Sequence, residues 1–266
     1  MTDEKTVELL LPYRDKGDRL VRVFVPPHDE GETLPVIYMT DGQNLFDDDN
    51  VRFGCWYTRE AVKAERENTG KAAIIVGIHN DGPPWERANE LMPKSIGELM
   101  LPPEMPEEAR KMVSPEGEEF DDFIINTVMP AVEARFPVKK GRESTAFCGS
   151  SSGGVQSFYT ALTHPDLFGA AGVFSPCFML FKPEDLAGWI FKSLREKMPY
   201  LYLYSGAGDD MEKMIYQCME GVYDILSECY PPQSLNEVVL LENKHHEDAW
   251  AEIFKDFLHT FLSVEL

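Results

Sequence analysis

Phe147-Cys148-Gly149-Ser150-Ser151-Ser152-Gly153-Gly154 has the spacing of a G-x-S-x-G turn, and only Ser151 fits its register. Gly149 stands two residues before it and Gly153 two residues after, whereas Ser150 and Ser152 lack glycines at those offsets. Such a turn sets a serine on a strained corner between a strand and a helix, with its hydroxyl exposed beyond the sheet. Side chains at the flanking positions would crowd that corner. The neighbouring sequence supplies both partners. Residues 144–148 form a short apolar run suited to a buried strand. Residues 155–162 suit a helix that stops at His164-Pro165, because proline cannot continue it.

Outward from this corner, strand and helix patterns alternate. Residues 19–25 alternate polar and apolar, like an antiparallel strand near a sheet edge. Continuous apolar runs at 35–40, 72–78, 170–174, 200–204 and 237–241 read as further strands. Helical patterns are expected at 56–67, 120–136, 185–197, 211–229 and 248–262, with Pro130 kinking the second of these. This order predicts an α/β protein with a mostly parallel central sheet of about eight strands and helices on both faces. No repeat or linker divides residues 1–266, so a single domain is expected. Residues 83–117 break the rhythm. They are rich in proline and acidic residues and carry Met92, Met100, Met105 and Met112, which suits either a cover over a site or a surface excursion.

The formal charge of −21 argues against nucleic acid and anionic membrane surfaces as partners, since both need clustered Lys and Arg. No apolar run has the length of a membrane span, and Met1–Thr6 lacks the pattern of a secretory leader. The five cysteines are widely spaced with no C-x-x-C pair, so neither a disulfide framework nor a zinc knot is expected. A reducing cytoplasm fits this usage.

A serine hydroxyl becomes a nucleophile only with a base beside it and an acid to orient that base. In the α/β-hydrolase arrangement these follow in the order Ser, Asp or Glu, His, on loops after later strands. His245 or His246, after residues 237–241, can supply the base, with His79 as a competitor. The acid is expected after residues 200–204, where Asp209 is the first choice, Asp210 the second and Glu212 the third. The backbone N–H groups of Ser152 and Gln43 are expected to form the oxyanion hole, and losing one such donor typically costs about 3–4 kcal/mol. Adjacent histidines point apart and no carboxylate cluster accompanies them, so no metal and no cofactor are expected.

Further stretches carry a family resemblance. Tyr38-Met39-Thr40-Asp41-Gly42-Gln43-Asn44-Leu45-Phe46-Asp47, Gly149–Gly154, His164–Gly169 with Phe174-Ser175-Pro176, and His245-His246-Glu247-Asp248-Ala249-Trp250 resemble the esterase family that includes esterase D, feruloyl and acetyl-xylan esterases of carbohydrate esterase family one, and enterobactin esterases. Ile78-His79-Asn80 and Glu86–Leu91 also agree with it. The resemblance covers residues 18–264. It implies an α/β-hydrolase fold and a serine carboxylic-ester hydrolase acting on a small-molecule ester, without a cofactor. It aligns the base with His245 and points to small acyl or aromatic (feruloyl or acetyl) esters. A siderophore trilactone esterase and a non-catalytic binding module are the alternatives. Trp85, Phe178 and His79 become candidate substrate contacts. Ser152 stands where the family often has methionine or leucine, and the 83–117 excursion is longer than the resemblance implies.

Overall fold

The computed structural model describes residues 1–47, 54–80 and 82–264. Its centre is an eight-stranded sheet of β1 (Lys5–Pro12), β2 (Asp18–Val25), β3 (Val36–Met39), β4 (Ile74–Ile78), β5 (Thr145–Ser150), β6 (Ala170–Phe174), β7 (Tyr200–Gly206) and β8 (Leu235–Leu240). The spatial order is β1-β2-β4-β3-β5-β6-β7-β8. The pairs β1–β2 and β2–β4 are antiparallel and all later pairs are parallel. This is the α/β-hydrolase fold.

The continuous apolar strands are explained by burial on both faces. In β3, Val36 and Tyr38 enter one core cluster while Ile37 and Met39 enter the other, the alternation that a pleated strand imposes. On the first face lie α6 (Ser152–Thr163), through Val155 and Phe158, and α8 (Asp210–Cys229), through Ile215 and Met219. On the second lie α1 (Thr58–Thr69), through Val62, and α9 (Glu247–Ser263), through Phe254 and Phe257.

The strand order reverses around β3. The chain leaves it for β4 on one side, then returns through β5 on the other. Open α/β sheets bind ligands beyond the carboxyl ends of strands at such a reversal. Here those ends carry Thr40–Asn44 after β3 and Ser151 after β5.

The 83–117 excursion is locally ordered. It contains α2 (Pro84–Glu90) and α3 (Glu107–Arg110), and leads into α4 (Gly117–Phe123). Leu99 bridges to Phe181, and Met100 N–H donates to the Leu180 carbonyl at 2.8 Å. The excursion therefore lies against the segment between β6 and α7 (Pro183–Ser193). After α4, residues Ile124–Val128 form a π-helical turn that runs into Met129–Glu133, labelled α5. Proline lacks an N–H and crowds the carbonyl four residues back. The wider turn accommodates Pro130 without ending the helix.

Candidate active site

Ser151 holds φ 60° and ψ −123°, a conformation few side chains adopt. The corner is packed tightly enough to demand its glycines. A Cβ on Gly149 would sit 2.5 Å from Thr40 Oγ1, and one on Gly153 would overlap the same oxygen. Thr40 directly follows β3, so these glycines let the Ser151 corner press against the neighbouring strand's loop. Ser152 opens α6, where first-turn N–H groups have no intrahelical acceptor and favour negative charge.

The imidazole is that of His245. Its Nε2 lies 3.2 Å from Ser151 Oγ, and its Nδ1 lies 2.7 Å from Glu212 Oε1. Trp250 packs perpendicular to the ring at 4.9 Å and 89°, while Trp250 Nε1 donates to Ser175 Oγ at 2.9 Å. A carboxylate only accepts, so the proton on Nδ1 faces Glu212 and leaves Nε2 free to take one from Ser151. His246 is set apart: its side chain is half exposed and accepts the Asp248 N–H, capping α9.

The carboxylate against the ring is Glu212 and not Asp209, which corrects the first choice from sequence. Asp209 caps α8: Oδ1 accepts the Glu212 N–H at 2.9 Å and Oδ2 accepts the His245 N–H at 3.0 Å. The first of these bonds, with lesser help from the second, holds its carboxyl below the usual aspartate value. Its short side chain folds back on the helix end and is used up there. Asp210 is fully exposed beside Lys213. Glu212 projects inward from the first turn and is 0 % exposed. Its Oε2 accepts from Ser205 Oγ and Gly206 N–H, both at 2.9 Å. The sequence held the signal. Asp209-x-x-Glu212 is a capping-box spacing, which already gives the aspartate an occupation.

A second residue was missed. Cys177 Sγ lies 3.2 Å from Ser151 Oγ, so the thiol forms a wall of the site beside the hydroxyl. Burial pushes this thiol above its ordinary value, against smaller lowering influences from Ser151 and Arg87.

The family model described as "Putative esterase" matches residues 15–190. The chain belongs to this esterase family. It is an esterase, an enzyme that acts on esters. The YbbA protein of Bacillus subtilis strain 168 is 22% identical over 214 residues, 76% of this chain and 73% of that one. Among solved structures, the siderophore hydrolase EstA of Aspergillus nidulans superposes with a TM-score of 0.74 at 19% identity, over 98% of this chain and 95% of that chain. A ferulic acid esterase of Anaeromyces mucronatus superposes with a TM-score of 0.64 at 20% identity, over 98% and 91%. These structural likenesses speak to the fold.

In the esterase, the loop after β3 is braced by polar side chains. Residues Gly42–Asn44 form one 3-10 turn. Gln43 Nε2 donates to Asp41 Oδ1 at 3.3 Å, and Gln43 Oε1 accepts the Asn80 N–H at 3.0 Å. Arg87 forks onto Asp41, with Nη2 to Oδ2 at 2.7 Å, and reaches the Ser150 carbonyl at 3.3 Å. Asn80 donates to Glu90, which Arg19 clamps from the far side at 2.7 and 2.8 Å. A Cβ on Gly42 would lie 2.5 Å from the Gly77 backbone, so this turn sits directly on β4.

The other three sequence candidates fall elsewhere. Phe178 is 1 % exposed and packs edge-on against Phe158 at 5.1 Å. It belongs to the core, because the residue lining the site from this loop is its neighbour Cys177. His79 is buried under the 42–44 turn, with its carbonyl accepting from Arg19. It supports that turn, and the imidazole at Ser151 is that of His245. Trp85 is 44 % exposed and faces a groove of about 520 Å³ shared with Lys16, Asp18, Arg19, Asn89 and Glu116. Ser151, His245 and Glu212 do not line that groove. Among the described residues, no group of three or more His, Cys, Asp or Glu is placed to hold a metal ion. No described helix is long and apolar enough to cross a membrane.

Glu247, the first residue of α9, is 6 % exposed. Burial pushes its carboxyl up to about 6, opposed by its own backbone N–H, by His246 and by Arg87, and assisted by Asp41. A carboxyl raised on folding favours the folded state most while protonated. Its contribution is full below the unfolded value near 4.5 and is lost as pH rises to about 6. Glu247→Gln is therefore expected to raise the melting temperature at pH 8 by about 2–4 °C, the shift given by ~1 kcal/mol in a domain of this size after discounting for solvent screening. Below pH 4.5 the two proteins should melt together. Thermal scans at both pH values check this, and an equal shift at both would show that the charge is not the cause.

Proposed function

We propose that Ser151, His245 and Glu212 are the triad of a serine carboxylic-ester hydrolase, with the Gln43 and Ser152 amides as its oxyanion hole. The observation that carries this reading is the unbroken path from Ser151 Oγ through His245 to Glu212, at 3.2 and 2.7 Å. Ser151 Oγ attacks the acyl carbon while Nε2 of His245 takes its proton. Glu212 accepts the Nδ1 hydrogen bond and stabilises the imidazolium. The carbonyl oxygen becomes an oxyanion held by the two amides. Collapse expels the alcohol, which receives the proton from Nε2 and leaves an acyl-serine. Water, deprotonated by the same nitrogen, then attacks the acyl carbon. Acid is released and Ser151 recovers its proton.

The substrate is a small acyl or aromatic ester, of the acetyl or feruloyl kind. Cys177 beside the nucleophile, with the Leu99–Phe181 contact behind its loop, supports a confined acyl side. A second reading is a siderophore ester. The similarity to EstA favours it. The formal charge of −21 weighs against a strongly anionic substrate.

Steady-state turnover of p-nitrophenyl acetate, methyl ferulate and a ferric catecholate trilactone separates these readings. The first two are expected to turn over and the third to lag. His245→Ala should abolish all turnover, while His246→Ala should keep a substantial fraction, since it removes only a helix cap. Activity confined to the trilactone would reverse the substrate assignment, and a dead His246→Ala with a live His245→Ala would overturn the choice of base.

A further inference from the structure

We propose that Asn44 and Glu247 form a latch that positions the oxyanion-binding turn against the histidine loop, which makes both of them positioning residues for ester hydrolysis. The inference rests on the triad and oxyanion hole described above and extends them.

The turn at Gly42–Asn44 has two flanks. On one, Gln43 and Asp41 are held by Asn80 and Arg87, so that side is tied to the end of β4 and to α2. On the other, Asn44 Nδ2 donates to Glu247 Oε1 at 3.2 Å, across 203 positions of sequence. Both side chains are buried, at 7 % and 6 % exposure. Glu247 follows His245 by two residues. The bond therefore joins the loop that carries the proposed oxyanion donor to the loop that carries the proposed base. The Asn44 carbonyl also accepts the Trp56 N–H at 2.8 Å. Trp56 in turn packs on Trp250 at 6.0 Å, and Trp250 meets the His245 ring at 4.9 Å. One polar bond and one aromatic contact thus fix the same spacing.

The bland explanation for Glu247 is an acid placed at a helix N-terminus. Such an acid works well exposed to solvent, where the dipole alone favours it. Here the carboxyl is buried against a raised proton affinity, with Asn44 Nδ2 donating to one of its oxygens. Oxyanion donors act only within a narrow range, near 2.7–3.1 Å from the developing charge. Releasing one flank of the turn would let the Gln43 amide drift while leaving substrate contacts in place.

The test uses the full chain and p-nitrophenyl acetate, with a trifluoromethyl ketone as a probe whose tetrahedral adduct senses the oxyanion hole. Asn44→Ala and Glu247→Ala are expected to lower kcat about tenfold, a fraction of the 10²–10³ lost when a donor is deleted outright. KM should stay within about twofold, and ketone affinity should fall in parallel with kcat. The double variant should be no worse than the weaker single one, as expected of partners in one contact. Glu247→Gln keeps an acceptor oxygen and should restore kcat to within about twofold of wild type. Assays run well below each variant's melting temperature keep stability out of the comparison. The latch is refuted if both alanine variants keep wild-type kcat and ketone affinity, if their losses simply add, or if Glu247→Gln is as impaired as Glu247→Ala. Should wild type itself fail to hydrolyse esters, the parent reading falls and the latch with it. Should wild type turn over, Ser151→Ala not, and the Asn44 and Glu247 variants match wild type, the latch alone falls.

Discussion

Ser151→Ala is expected to lower kcat by about 10⁶-fold, the scale of loss when the nucleophile of a serine-hydrolase triad is removed. Folding should be nearly untouched. Among the described residues the hydroxyl is hydrogen-bonded to the His245 ring and the Cys177 thiol, while the backbone at φ 60° donates its own N–H to the Phe174 carbonyl at 2.9 Å. Alanine meets about the same conformational cost there as serine. Circular dichroism and a melting curve close to wild type, together with ester turnover about 10⁶-fold below wild type, would meet the expectation. Substantial residual turnover in pure protein would move the nucleophile elsewhere.

The second large effect separates two neighbouring acids. Glu212→Gln should lower kcat by about 10⁴-fold, because an amide that can donate no longer fixes the proton on Nδ1 of His245. Asp209→Asn should lose only a few-fold. Asparagine caps a helix about as well as aspartate, so its one oxygen can keep the Glu212 N–H while its NH2 gives up the bond to the His245 N–H. Stability should fall by about 1–3 kcal/mol for that lost bond. The two variants, assayed side by side for kcat and melting temperature, give a direct answer. If Asp209→Asn were the inactive one, the acid would return to the position first expected from sequence.

Legibility followed the physics of each feature. The corner at Ser151 could be read because steric crowding against Thr40 admits only glycine at Gly149 and Gly153, so the constraint is written in the residues themselves. The parallel strands could be read because burial on both faces leaves continuous apolar runs. Strand β1 could not. Its inward residues Leu9 and Leu11 alternate with an exposed Leu10, which blurs the period of two and places an apolar side chain on the outer face. Asp209 and Glu212 were hard to tell apart in sequence because capping a helix and facing a histidine favour the same residue types at a helix start. Only the side-chain lengths and directions show that Asp209 turns back to the backbone while Glu212 turns inward. Phe178 was displaced for a similar reason. An aromatic next to a site and an aromatic in the core look alike in sequence, and the neighbouring Cys177 thiol took the position beside Ser151. The Asn44–Glu247 contact joins residues 203 positions apart. No local pattern encodes such a pair, since it arises only once β3 and α9 have packed.

Labelling with a fluorophosphonate, followed by mass spectrometry of the modified peptide, tests the proposed nucleophile with least interpretation. Folded wild type should carry one phosphonyl group, on Ser151, formed far faster than in His245→Ala or Glu212→Gln. Folded protein that takes up no label, or takes it up on another serine at a rate indifferent to His245, would contradict the proposed chemistry.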